Sequence, residues 1–221
     1  MKRISLPFVI IVSLVFVTQA FATAQYPDKI YFEGQLYDLQ SNPMEPYFAK
    51  NPDKKPKSGI ISSALWRGYI ATFEVVDGGF YLRDIEIKGE NPKREHDYIF
   101  KSVIEEVVPK GQKLKIDWFN GLLVLPYGKL VNYVHMGYGS TFENYFLLEI
   151  IAGDFKQSKR FDFKEYEAFK DRQFSEFKKT EDYKKLVKQM KSDGAGDWDE
   201  KATDSFIRSF VTNYTSKILV N

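Results

Sequence analysis

Over residues 29–39 (KIYFEGQLYDL) apolar and polar residues alternate, with a break at Glu33-Gly34. A period of two predicts two short strands joined at that glycine. Residues 41–59 carry Pro43, Pro46, Pro52 and Pro56 beside the charged run Asp53-Lys54-Lys55. Proline fixes φ and lacks an N–H, so an extended loop with a solvated face is expected there. Strand patterning returns in residues 64–76 (ALWRGYIATFEVV) and 80–88, with Asp77-Gly78-Gly79 between them as a hairpin turn. Residues 97–108 (DYIFKSVIEEVV) are expected to form a short helix, capped by Asp97 and stopped by Pro109.

Further strands are expected at residues 113–119 and 122–125 around a turn at Asn120-Gly121, with Pro126-Tyr127-Gly128 ending the pair. Three more follow, at residues 130–136, 144–151 and 155–161. The period then changes. Asp162 and Glu165 form a capping box, and Phe163, Tyr166, Phe169, Phe174 and Phe177 fall on one helical stripe. At roughly 100° per residue, Tyr183, Leu186, Val187 and Met190 lie about a third of a turn off that stripe. A break near Lys179 resolves the mismatch, with Thr180 capping a second helix. Asp197 with Glu200 opens a third helix over residues 198–218. The fold class expected is α+β: an antiparallel β-sheet body, sandwich or barrel-like, over residues 25–161, with C-terminal helices over residues 162–221 packed on the same domain.

Residues 1–24 change the picture of location. Lys2 and Arg3 precede an apolar run from Leu6 to Val17, and Ala20, Ala22 and Ala24 follow it. This is the layout of a secretory signal peptide, with Ala22-Thr23-Ala24 favouring cleavage before Gln25 and Ala20-Phe21-Ala22 offering a second site two residues earlier. The run is shorter than the roughly 20 residues a membrane span requires, and Pro7, Ser13 and Gln19 interrupt it. A periplasmic or secreted bacterial protein is expected, with no membrane span after cleavage. With no cysteine in 221 residues, disulfides, thiolate metal sites and lipid-modified N-termini are excluded.

An aromatic content of 16% and a net charge of only +2 exclude a disordered chain. Loss of Lys2 and Arg3 leaves 30 basic residues against 30 acidic ones, a balance of zero. A phosphate-binding surface needs a basic surplus, so nucleic acid is not an expected partner.

His135 is the first candidate for chemistry. It leads into Gly137-Tyr138-Gly139-Ser140-Thr141, with Glu143 beyond and Asp117 on a neighbouring predicted strand. An imidazole beside a carboxylate suits acid–base work, although a histidine satisfied by one backbone carbonyl, with the glycines serving turn geometry, is the more ordinary account. Ser140 lacks a nucleophile-elbow frame, and Gly137-x-Gly139 lacks the lysine of a phosphate loop. Arg67 is the second candidate, a guanidinium among Leu65, Tyr69, Ala71 and Phe73. It must grip a ligand anion or pair internally, with Asp84, Glu86 or Asp117 as the expected partners. Trp66, Trp118, Tyr127 and Tyr138 sit near turns, where ligand-stacking rings are placed.

No metal or cofactor is expected. His96 stands in a charged turn, and the acids Asp193, Asp197, Asp199 and Glu200 miss the calcium-loop spacing.

The segments LWRGYIATFE (residues 65–74) and DWFNGLLVLPYGKLVNYVHMGYGSTFENY (residues 117–145) resemble a family of bacterial proteins without an assigned activity. The resemblance spans residues 37–186. It implies that residues 30–190 fold as one unit and transfers no ligand or catalytic residue.

The expected function is therefore non-enzymatic binding of a protein or glycan in the cell envelope through Arg67, Trp66, Trp118, Tyr138 and Ser140. The alternative is a small periplasmic hydrolase or transferase using His135 with Glu143 or Asp117.

Overall fold

The computed structural model describes residues 24–57, 59–94, 97–135, 137–194, 196–215 and 218. The expected leader, apart from Ala24, and His96 lie outside the described residues. Nine strands are present among the described residues: β1 (Asp28–Phe32), β2 (Gln35–Leu39), β3 (Ile70–Val76), β4 (Gly79–Glu90), β5 (Tyr98–Ser102), β6 (Leu114–Lys115), β7 (Gly121–Asn132), β8 (Thr141–Ile151) and β9 (Asp154–Asp162). Five α-helices accompany them: α1 (Glu45–Lys50), α2 (Ile104–Val107), α3 (Phe163–Phe177), α4 (Glu181–Ser192) and α5 (Glu200–Ser209). The fold is α+β, with a mostly antiparallel sheet and helices at its C-terminal end.

The strand order is β2-β1-β3-β4-β9-β8-β7, with β5 and β6 also pairing with β4. Among the described strands only β1 and β3 pair in parallel. The sheet curls until its two ends meet, where the Gln40 N–H donates to the Val124 carbonyl at 3.0 Å. Opposite that closure lies a second narrow seam. There β4 and β9 pair through Gly79 and Asp154 alone.

Strand alternation explains how a curled sheet buries both faces. On β7 and β8, Leu123, Leu125, Phe146, Leu148 and Ile150 point inward to meet Ile30, Phe73, Phe80 and Ile85. The intervening Leu122, Val124, Tyr145 and Leu147 point outward and are covered by Tyr166 and Phe169 of α3. A third cluster joins Phe177 of α3 to Ile207 of α5 and Val211, with Tyr183, Leu186, Val187 and Met190 of α4 against it. The two aromatic and aliphatic stripes thus sit on separate helices, as their phase requires. Two of the caps expected from sequence are present: Asp162 and Glu165 complete a capping box, and Thr180 accepts from the Tyr183 N–H.

Several boundaries differ from the sequence reading. Residues 97–108 are strand β5 followed by one turn of helix, because Tyr98, Ile99 and Phe100 favour a strand and β4 offers a free edge. The proline-rich segment contains α1, where Pro46 occupies the first turn and its missing N–H is harmless. Residues 64–69 form a 3-10 turn and bend before β3, and only Leu114–Lys115 of the expected strand at 113–119 pairs. Asn120-Gly121 is no hairpin. Its side chain instead accepts from the Ala152 N–H at 2.8 Å. Strand β7 runs straight through Pro126-Tyr127-Gly128, absorbing it as an irregularity in the register with β8. Helix α5 starts at Glu200 under an Asp199 cap rather than Asp197, and stops at Ser209.

Candidate functional site

Arg67 lies in the bend before β3, and its side chain is fully buried. None of the three expected acids is its partner. Its Nη2 donates to Asp28 Oδ1 at 3.2 Å and to the Tyr26 carbonyl at 2.9 Å. Its Nη1 donates to the Tyr138 phenol oxygen at 3.1 Å, and Tyr138 donates onward to Asn42 Oδ1 at 2.8 Å. Asp28 Oδ1 also accepts the Ala71 N–H at 2.9 Å, which fixes the carboxylate against the start of β3. Asp28 Oδ2 and Arg67 Nε are buried without partners.

Burial dominates the electrostatics of this network. It pushes the Asp28 carboxyl up to about 6 despite the adjacent guanidinium. For Arg67 burial is the largest influence and acts downward, but Asp28, Tyr138 and Tyr69 together outweigh it, and the guanidinium stays charged. Burial also pushes the Tyr138 phenol up to about 12, so it remains a neutral donor and acceptor. Tyr69, beneath Arg67, is raised by burial as well and donates to Glu45 Oε1 at 2.6 Å.

Tyr138 stands at the junction of two cavities. One, of about 330 Å³, lies between the 138–141 loop, β7 and helices α3 and α5. The other, of about 350 Å³, lies below the 40–46 segment and the start of β7. Both are lined by Gln40, Tyr138, Thr212 and Asn213, so they lie side by side and adjoin at these residues. A third hollow of about 420 Å³ shares Gly139, Ser209 and Phe210 with the first and opens toward Trp198 and Phe206.

The far end of the first cavity is charged. Glu167 receives Lys170 Nζ at 2.6 Å and Arg208 Nη1 at 2.8 Å, while Arg208 Nε donates to Asp171 at 2.7 Å. Burial pushes the Glu167 carboxyl up, but its two cationic partners outweigh this and hold it below the usual carboxylate range. Beside it the Tyr145 and Tyr166 rings stack with centroids 4.0 Å apart.

The other sequence candidates are scattered. Ser140 lines the first cavity, but its Oγ is engaged with the N–H and carbonyl of Val134, closing the 134–140 loop. Trp118 is half-buried, stacks on Tyr47 at 4.7 Å and donates to the Pro43 carbonyl. Tyr127 is packed against Phe146 and Tyr37. Trp66 is 55% exposed and lines none of the three cavities above. His135 is exposed, with Nδ1 2.8 Å from the Tyr133 hydroxyl. Glu143 is occupied by the Lys129 N–H, and Asp117 is exposed. Among the described residues no hydrogen bond joins His135 to either acid.

The sequence reading missed Asp28, Asn42 and Gln40, which carry no pattern of their own beside an apolar strand or a proline. The Glu167, Lys170 and Arg208 group had a weak signal. Glu167 and Lys170 share one side of α3, but Arg208 joins them only through the packing of α5. No group of three or more metal-binding side chains occurs among the described residues. No protein-family model, curated protein or solved structure matches the chain.

Proposed function

We propose that this is an exported bacterial envelope protein that binds a glycan in the cleft around Tyr138 without transforming it. The carrying observation is the make-up of that cleft. Amides from Gln40, Asn132 and Asn213, hydroxyls from Thr212 and Tyr138, and the aromatic surface of Tyr166 line two adjoining hollows. Paired amide and hydroxyl groups match the alternating donors and acceptors of a sugar ring, and aromatic faces match its C–H surface. Arg67 and Asn42 hold Tyr138 from behind, so the phenol is positioned before a ligand arrives.

Export rests on the leader in residues 1–24. Among the described residues no helix is long and apolar enough to cross a membrane.

The test is titration calorimetry against soluble oligosaccharides prepared from bacterial envelopes, neutral and acidic. Binding should weaken by about tenfold or more in Asn213→Ala and Gln40→Ala. If no oligosaccharide binds, or if these variants bind as the parent does, the proposal fails. Turnover of any bound glycan that is lost in His135→Ala would replace it with the hydrolase reading.

A further inference from the structure

We infer that two copies of this chain pair through the outer edge of β5, antiparallel about a two-fold axis at Ile99, so that the sheet continues across a homodimer. This surface is separate from the cleft and does not depend on its ligand.

The edge is open. Among the described residues strand β5 pairs with β4 alone, and all five of its residues are exposed, including Tyr98, Ile99 and Phe100. Hydrogen-bond parity shows which backbone groups are available. The Val103 N–H donates to the Ile85 carbonyl, and the Asn91 N–H donates to the Asp97 carbonyl. In an antiparallel ladder alternate residues face the partner strand. Odd-numbered residues of β5 therefore face β4, and Tyr98, Phe100 and Ser102 direct their N–H and C=O groups outward.

Charge selects both the occupant and the register. A pairing centred on Ile99 sets Tyr98 opposite Phe100 of the partner subunit, with four ladder hydrogen bonds across the two equivalent pairs. It also sets Asp97 opposite Lys101 of the partner subunit, twice by symmetry. Centring on Phe100 instead places Tyr98 opposite Ser102 of the partner subunit and leaves both charges without opposites. The Lys101 side chain has no hydrogen bond or ion pair among the described residues, its backbone being paired with Ile87 of β4. Asp97 Oδ1 at present accepts the Tyr98 N–H at 2.8 Å, a contact that the new ladder bond would replace. An edge lysine ordinarily guards a strand against pairing. Here Asp97 supplies its counter-charge from the same strand.

A five-residue edge buries little area, so the dimer is weak and is best sought at high concentration. Sedimentation velocity of the purified protein from about 10 to about 500 µM should show a dimer fraction that grows with concentration. Lys101→Asp and Asp97→Lys should each weaken it about tenfold or more, and the double swap should restore it. Phe100→Pro should also abolish pairing. Its N–H takes no part in the β4 ladder, so the variant should keep the parent's circular dichroism. A protein that stays monomeric at the top of the range overturns the proposal. So does self-association unchanged in both Lys101→Asp and Phe100→Pro.

Discussion

Asp28 and Arg67 form an ion pair at 3.2 Å with neither side chain exposed to solvent. They lie 39 residues apart in sequence and join the start of β1 to the bend before β3. Removing one partner strands a charge in the interior. Arg67→Met should cost about 3–5 kcal/mol in urea unfolding at pH 7, whereas Asp28→Leu combined with Arg67→Met should recover a large part of that loss. Equal losses in the single and double variants would show that the pair contributes through packing instead.

The same carboxyl gives stability a dependence on pH. Asp28 releases its proton near 4 in the unfolded chain and at about 6 in the folded one. Between those values the folded state holds more protons, so stability falls as pH rises, by roughly 1–3 kcal/mol, and levels off above about 6. Asp28→Asn should flatten that segment of the profile. Denaturant unfolding at half-unit steps from pH 4 to 7 checks the slope.

Two turn glycines should respond differently to alanine. Gly34 has φ +77° with open space around it, so Gly34→Ala should cost about 1 kcal/mol for the left-handed backbone. Gly153 has φ +71°, and a Cβ there would lie 2.8 Å from the Ile116 carbonyl oxygen. Gly153→Ala should therefore cost clearly more than Gly34→Ala, since the backbone of the neighbouring loop must move. Thermal melts of the two variants side by side decide the order.

Tyr138→Phe keeps the ring and deletes the bridge between Arg67 and Asn42. It should cost about 1 kcal/mol of stability and leave circular dichroism unchanged. If the cleft is the binding site, glycan affinity should fall in step. An unchanged affinity would place the ligand elsewhere.

Asp162→Ala removes the side-chain half of the α3 capping box, the 2.8 Å bond from the Glu165 N–H, and keeps the backbone N–H that donates to Glu165 at 2.9 Å. A loss of about 0.5–2 kcal/mol is expected in equilibrium unfolding.

What the sequence made legible was local. The Asp162–Glu165 box, the Thr180 cap and the phase shift between the Phe169 and Leu186 stripes each depend on residues within a turn or two, and each stands where periodicity places it. Residues 97–108 misled because a capping aspartate and a following proline outweighed Tyr98, Ile99 and Phe100, whose strand is set by the distant β4. The site was legible only in part. Tyr138 and Arg67 stood out as a ring near a turn and a charge among apolar residues. That they touch, and that Asp28 rather than Asp84 or Glu86 completes the network, follows from the parallel pairing of β1 with β3, which no local pattern encodes.

The curled sheet is fastened at two narrow places, Gly79 with Asp154 and Gln40 with Val124. Strands β1 to β6 form one shell and β7 to β9 the other, and Tyr138 reaches from the second to Arg67 and Asn42 in the first. A guest lodged beside that phenol would act as a bolt through a clasp, slowing amide exchange along both rims at once while leaving the centre of each shell as it was.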